Sequence, residues 1–417
     1  MSGSLNAFVN ALASAVAYQN GEELRKLLSV SNQHALEAVR QRPRAASGWE
    51  CSSLVREELR KVGQRGTLWE DILAQHCVAL GALCAGKPAD AYAQLKGDPY
   101  TPAFLKLFRE DKEAWLVPVM SGLVHNLRDV ARMTDAEARQ NGKKSDALDN
   151  CGTLMQGCFR TALQATGNKE KKLALLEIIN TLFKVYFQLN TLRLCKTLIN
   201  AVNSKQFLEF DMFPASQRVT YRYYTGRLNI FDERYQEAVE DLTYAFEHCP
   251  ASAEINKARC AYYLIPARML LGDLPTQALL QRFSLHHYMP IVEAMREGSI
   301  QQLDECIKDN QFRFIQAGTF LLVEKLKLYV HRRLFKRVAL LHREQDSTKA
   351  ERLPLVKFQK ALAWQGVEMD LDGVECIVAN LIYRKLVKGY LSHQHRIAVL
   401  SKQDPFPPLS AATLNDP

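Results

Sequence analysis

The spacing of apolar residues constrains this chain most. It is helical almost throughout and changes period near Val387. The change falls inside Asp370–Ser401, DLDGVECIVANLIYRKLVKGYLSHQHRIAVLS. Asp370 can cap a helix, because its side chain accepts from the unpaired N–H groups of a first turn. Leu371, Val374, Ile377, Val378, Leu381 and Ile382 then recur at helical spacing and share one apolar face. Past Lys385, residues Val387, Leu391, Ile397 and Val399 lie in runs that suit strands, with polar Ser392–His395 as the loop between. Helix, tight turn and two-stranded hairpin predict the second half of a winged helix. Pro354–Trp364, with a proline in its first turn, is the expected second helix. Leu334–His342, opening after a break near His331, is the expected first, and Leu371–Lys385 the third.

Upstream the chain is expected to be mainly α: a helical, TPR-like solenoid of stacked helix pairs that ends in this C-terminal winged-helix module. Gly226, Ala238, Leu242, Ala245 and Pro250 stand at the spacings of a tetratricopeptide unit. The small residues let two antiparallel helices approach, and Pro250 ends the second. Arg222 and Asn229 occupy positions where such a unit carries large apolar side chains, so the repeat is degenerate. Further helices are expected at Ala253–Leu271, Thr276–Tyr288, Pro290–Glu297, Ser299–Lys308 and Phe312–Tyr329. Trp115–Met133 is a strong helix. The polar run Thr134–Asn150 is expected to be an exposed loop or a frayed connection. These readings divide the chain at 1–110 (an N-terminal helical region, partly basic), 111–330 (solenoid), 331–405 (winged helix) and 406–417 (tail).

Composition narrows the class. The 417 residues are 47% hydrophobic and 24% charged, ordinary for a globular protein. Leu173–Leu189 is the most apolar stretch, but Glu177 and Lys184 interrupt it and it predicts core, not a membrane span. The N-terminus lacks the basic start of a signal peptide. Ten cysteines follow no disulfide framework and form no C-x-x-C pair, which predicts free thiols in a reducing compartment, cytosol or nucleus. No G-x-S-x-G, H-E-x-x-H or G-x-G-x-x-G occurs, and Gly142-Lys143-Lys144-Ser145 lacks the earlier glycine of a phosphate loop. His393-x-His395 has no further ligand at metal spacing nearby. No catalytic residue, metal site or cofactor is expected.

Charge suggests a partner. Lys and Arg outnumber Asp and Glu by 54 to 45, a net +9. Lys325–Arg343 carries seven of these cations and no acid. At ~100° per residue, Leu334, Val338 and Leu341 take one face, with Arg332, Lys336 and Arg343 opposite, flanked by Arg333 and Arg337. Around the wing stand Lys385, Lys388, His393, His395, Arg396 and Lys402. Such a set neutralises phosphates without reading sequence. The third helix exposes Glu375, Asn380, Arg384 and Lys385, a poor set for base edges. Tyr390, Ile397 and Val399 are the alternative: a hairpin surface for another protein. A second basic stretch, Arg40, Arg42, Arg44, Arg56, Arg60, Lys61 and Arg65, is expected to be a solvated face.

Several runs carry a family likeness. VECIVANLIYRKLVKGYLSHQHRIAVLSKQDPFPPL resembles the PCI domain-containing protein 2 family, as do QRVTYRYYTG (Gln217–Gly226) with Arg227, AFEHC (Ala245–Cys249), MLLG (Met269–Gly272), EKLK (Glu324–Lys327), LFKR (Leu334–Arg337) and WLVPVM (Trp115–Met120). The resemblance covers about residues 110–410; residues 1–100 are not matched, and Arg384-Lys385-Leu386 departs from the family pattern. It implies a PCI domain in a non-enzymatic subunit of the nuclear, transcription-coupled mRNA export complex at the nuclear pore, with some cytoplasmic presence allowed. It also implies pairing with a large PCI-type scaffold subunit, a very small acidic partner shared with the proteasome lid, contact with nuclear pore components and no membrane insertion. Juxtaposed winged helices would form a basic platform for RNA or DNA. The rival expectation is a protein-interaction subunit of a signalosome- or lid-like particle that touches no nucleic acid.

Overall fold

The computed structural model describes residues 5–41, 49–64, 66–165, 168–204, 207–345 and 350–409. The chain divides into two compact units, Met1–Tyr221 and Arg222–Pro417. The first holds α1 (Leu5–Ala17), α2 (Gly21–Leu27), α3 (Gln33–Arg40), α4 (Trp49–Lys61), α5 (Leu68–Cys84), α6 (Pro88–Lys96), α7 (Tyr100–Glu110), α8 (Val117–Gln140), α9 (Ala147–Leu163), α10 (Ala174–Leu189) and α11 (Arg193–Val202); the boundary falls within α12 (Ala215–Phe231). Asn20 and Asn32 cap α2 and α3 by accepting from the amides of Glu23 and Ala35. Helix α10 is the expected core element, with Leu175, Leu176, Ile178, Ile179, Leu182 and Phe183 fully buried.

Thr134–Asn150 is not the exposed loop its polarity predicts. Helix α8 runs on to Gln140, and Asp135 does local work there. Its carboxylate accepts from the Ser145 hydroxyl at 2.6 Å and from the amides of Ala147 and Leu148 at 3.1 and 3.2 Å, so it caps α9 from a neighbouring helix. A cap supplied from twelve residues away leaves no contiguous signature. Arg40, Arg56, Arg60 and Lys61 are exposed, as a solvated face requires; Arg42, Arg44 and Arg65 lie outside the described residues.

In the second unit the helix pair of α12 and α13 (Tyr235–His248) follows the steric rule its small residues set. A Cβ added at Gly226 would stand 2.6 Å from Leu242 Cγ and 3.2 Å from the Ala238 carbonyl oxygen, so only glycine permits this approach. The two mismatched repeat positions have their own chemistry. Arg222 and Asn229 both donate to the buried Asp241 carboxylate on α13, at 2.5 and 3.1 Å. A charge-assisted network thus replaces apolar packing.

Then follow α14 (Glu254–Leu270), α15 (Gln277–Arg282), α16 (Met289–Glu297), α17 (Ile300–Asp309), α18 (Gln311–Ala317), α19 (Phe320–Lys325) and α20 (Lys327–Gln345). The single helix expected at Phe312–Tyr329 is three, because Gly318 at φ +73° stops α18 and the chain turns again at Leu326. The break expected near His331 is absent: α20 is continuous.

The C-terminal module contains β1 (Arg352–Pro354), α21 (Leu355–Trp364), α22 (Leu371–Tyr383), β2 (Gly389–Ser392) and β3 (Ile397–Leu400). Asp370 caps α22 as expected, accepting from the Gly373 amide at 2.7 Å. The expected hairpin gains a third strand. Sheet order is β1-β3-β2, antiparallel throughout, with Leu353 and Leu391 both opposite Ala398. Three residues ending in proline give too short a run to show a period. Leu353, Phe358, Leu362, Val374, Val378, Leu381 and Ala398 form the module's core, continuous with the buried face of α20. Eight of the ten cysteines are buried, Cys84 is half-buried and Cys376, on α22, is exposed. Burial raises the thiol pKa of Cys151, Cys158, Cys195, Cys260 and Cys306.

Candidate nucleic-acid and partner surfaces

Helix α20 does not expose the arc of cations that its angular spacing predicts. Arg332 is 8% exposed. Its Nε donates to the Leu386 carbonyl at 2.9 Å and its Nη2 to the Pro407 carbonyl. This takes Arg332 out of any phosphate-binding surface. The expected apolar face also turns over at its far end: Leu334 is buried, but Leu341 is 58% exposed. The reason is common to both. The first half of α20 is enclosed on several sides, and a single-face wheel assumes one buried side. His331 is enclosed too; burial and the nearby Lys327 push its pKa down to about 4.

Arg333 and Arg337 remain exposed, and each donates to a carbonyl at the C-terminus of α16. Arg333 Nε reaches the Arg296 oxygen at 2.7 Å and Arg337 Nη1 the Glu297 oxygen at 2.6 Å. These carbonyls have no partner within their own helix, and cations at a helix C-terminus also meet the negative end of its dipole. A carbonyl holds a guanidinium without cancelling its charge. Lys336 lies half-buried beside this pair and Arg343 is exposed further along. His342, by contrast, is internal: it lies 3.2 Å from the Arg352 carbonyl and 2.8 Å from Lys357 Nζ, and ties α20 to β1 and α21.

The wing cations are placed differently. Arg396 forms ion pairs with Asp372 and with Glu375, the second at 2.7 Å. His393 Nδ1 lies 2.9 Å from Glu375, and Lys402 lies 3.8 Å from Glu351. Acids on α22 therefore offset much of the wing's positive charge. Lys385, Lys388 and His395 are exposed. The three hairpin candidates share one face. Tyr390 stands opposite Val399, Val399 opposite Arg352, and Ile397 is two residues from Val399 on the same strand side. Tyr390 is 63% exposed; Ile397 and Val399 are half-buried. Arg352 adds a cation beside them that sequence spacing did not single out.

A larger concavity lies between α14, α15 and α18. It encloses about 820 Å³ and is lined by Tyr262, Tyr263, His287, Arg259, Arg282 and Arg313, with Glu254 as its single acid. Ile255, at its edge, is 73% exposed, and Phe312 and Ile315 on α18 are exposed as well. Burial, with Arg313 nearby, pushes the His287 pKa down to about 4. The three arginines stand 23 and 31 residues apart in sequence, so only the folded solenoid gathers them. Among the described residues no cluster of three or more His, Cys, Asp or Glu is placed to hold a metal, and no helix is long and apolar enough to cross a membrane.

Known proteins match both regions. The PCI domain family matches residues 307–402. A family described as PSMD3-like, N-terminal TPR repeats matches residues 145–292. Enhanced ethylene response protein 5 of Arabidopsis thaliana is 35% identical over 97% of this chain and 96% of its own length. PCI domain-containing protein 2 of Xenopus laevis is 41% identical over 74% of this chain and 77% of its own length. Protein CSN12 homolog of Mycosarcoma maydis is 27% identical over 98% of both chains.

Proposed function

The chain belongs to the PCI domain-containing protein 2 family, and from that premise we propose that it is a non-catalytic scaffold subunit of a nuclear mRNA export complex at the nuclear pore. PCI domains belong to subunits of multi-subunit assemblies. In the proposed complex the chain pairs with a large PCI-type subunit and a small acidic protein, and its winged helix meets RNA or DNA through phosphates.

One observation carries the nucleic-acid reading. Arg333 and Arg337 are exposed and are held by carbonyls, not carboxylates, so their charge is fixed in place and uncancelled. Lys336 and Arg343 extend the same edge. Contacts of this kind give affinity with steep salt dependence and weak sequence preference. The small acidic partner fits the concavity of Arg259, Arg282 and Arg313, whose exposed Ile255 offers an apolar anchor point.

The test is charge reversal of Arg333, Lys336, Arg337 and Lys388 in the assembled complex. Loss of RNA affinity with a shallower salt slope is expected, and an unchanged slope would sink the reading. A second reading, assembly without nucleic-acid contact, draws on the paired wing cations and the Tyr390–Val399–Arg352 row. It requires that row to be covered by another subunit, which protection of Tyr390 from oxidative footprinting would reveal.

A further inference from the structure

The last described residues do not trail from the wing. After β3 the Ser401 hydroxyl donates to the Gln403 carbonyl at 2.9 Å and accepts from the Gln403 amide at 3.3 Å, which closes a tight turn. Asp404 then takes φ +45°, a left-handed conformation that aspartate tolerates better than most residues. The reversal sends Pro405–Leu409 back across the module. The Pro405 carbonyl accepts from the Lys388 amide at 2.8 Å. Phe406 is 6% exposed, and the Pro407 carbonyl accepts from Arg332. Leu409 ends against Gly272, at the turn that closes α14: a Cβ built on Gly272 would lie 2.6 Å from Leu409 Cβ.

Arg332 is what separates this from a tail that fills a surface furrow. A guanidinium is costly to bury, and here the carbonyl bonds offset that cost without a carboxylate hydrogen-bonded to it. One carbonyl, Leu386, belongs to the segment leading into β2. The other, Pro407, belongs to the returning chain. The guanidinium also lies 6.0 Å from the centre of the Phe406 ring, at the outer limit of a cation–π contact. Part of what supports the burial of Arg332, the Pro407 carbonyl and the Phe406 ring, is therefore present only while the returning segment is seated. The backbone of that segment is preset, because Pro405, Pro407 and Pro408 each fix φ and reduce the freedom lost on docking.

We propose that residues 403–409 are a strap that fixes the winged helix to the α14–α15 turn, with Arg332 as the side chain that locks it. The strap adds a second hold on the module, whose α20, α21, α22 and sheet already share one continuous core with α14, α16, α17 and α19. It also keeps Arg332 out of solvent, one cation fewer on the module's first helix.

Hydrogen exchange on the full chain tests this. In the Phe406→Ser/Leu409→Asp double variant, exchange at the Lys388 amide and across residues 270–276 should rise by about tenfold or more, while core amides of α13, α17 and α22 keep their protection. Arg332→Gln, made separately, should raise exchange at Lys388 and leave α13 and α17 unchanged. Unaltered exchange at Lys388 and 270–276 in the double variant would overturn the proposal. So would loss of protection throughout residues 222–409 in both variants, which would make the segment part of the folding core and not a strap.

Discussion

The two basic edges of the winged helix contain similar side chains and treat their charge in opposite ways. On α20, Arg333 and Arg337 are held by the carbonyls that end α16. At the wing, Arg396 and His393 are held by Asp372 and Glu375. Both arrangements fix the cation. Only the second removes its field, because a carbonyl is a dipole and a carboxylate a full opposite charge. A count of Lys, Arg and His cannot distinguish them. The comparison teaches that phosphate affinity should follow the partner's formal charge, not the number of cations.

The largest effect should come from a cation that belongs to neither edge. Arg332→Leu leaves the Leu386 and Pro407 carbonyls without their donor, and should cost about 2–4 kcal/mol of local stability, read as faster amide exchange at Lys388 and residues 270–276. A stability change near zero would mean that Arg332 can be spared and that its burial is incidental. Next, reversal of the α20 edge, Arg333→Glu with Arg337→Glu, should weaken RNA binding by tenfold or more at about 0.1 M salt and reduce the salt slope by about two. The same reversal at the wing, Arg396→Glu, should do less. If the wing variant proves the stronger, the comparison is inverted.

A third test frees the wing. Asp372→Asn with Glu375→Gln should raise RNA affinity by roughly threefold and steepen the slope by about one, since Arg396 then faces solvent uncancelled. No gain would show that phosphate does not approach that side. The fourth uses acid. His331 on α20 has a pKa near 4 in the folded chain against an ordinary 6.5, so between those values the unfolded chain holds a proton that the folded chain does not. Its contribution is complete above pH 6.5, falls as pH drops toward 4, and is flat below. His331→Gln should therefore flatten the loss of stability between pH 7 and 5 by on the order of 1 kcal/mol. His76, fully buried in the first unit and also near 4, is the control: His76→Gln should act on that unit and leave α20 unaffected. The smallest effect is Lys402→Ala, whose pair with Glu351 at 3.8 Å is exposed and should change stability by less than about 0.5 kcal/mol.

Most of the architecture was legible because periodicity reports burial on one side. The α22 helix, its Asp370 cap and the hairpin follow from it, as does the close approach at Gly226. What was not legible required knowledge of a second neighbour. Asp135 caps a helix that begins twelve residues later, so its run looked like a loop. β1 is three residues long and gains its identity from β3. Arg332 and Leu341 break the helical wheel because α20 is enclosed on more than one side at one end and open at the other. The arginines of the concavity share no local pattern at all. The candidate surface was thus readable as a list of cations and unreadable as a distribution of charge.

The burial of nearly every thiol has a practical consequence. Cys376 is the one fully exposed cysteine and stands on α22, in the same winged-helix module whose surface separates the two functional readings. Eight others are enclosed, and Cys84 is half-buried with its sulfur turned to the Leu36 carbonyl at 3.4 Å. A brief maleimide reaction on the native chain should therefore place one fluorophore at Cys376 without any engineered residue. Its emission would shift when a protein covers that helix and would change little when a nucleic acid settles on the α20 edge, so the unmodified sequence already contains the reporter for its own docking.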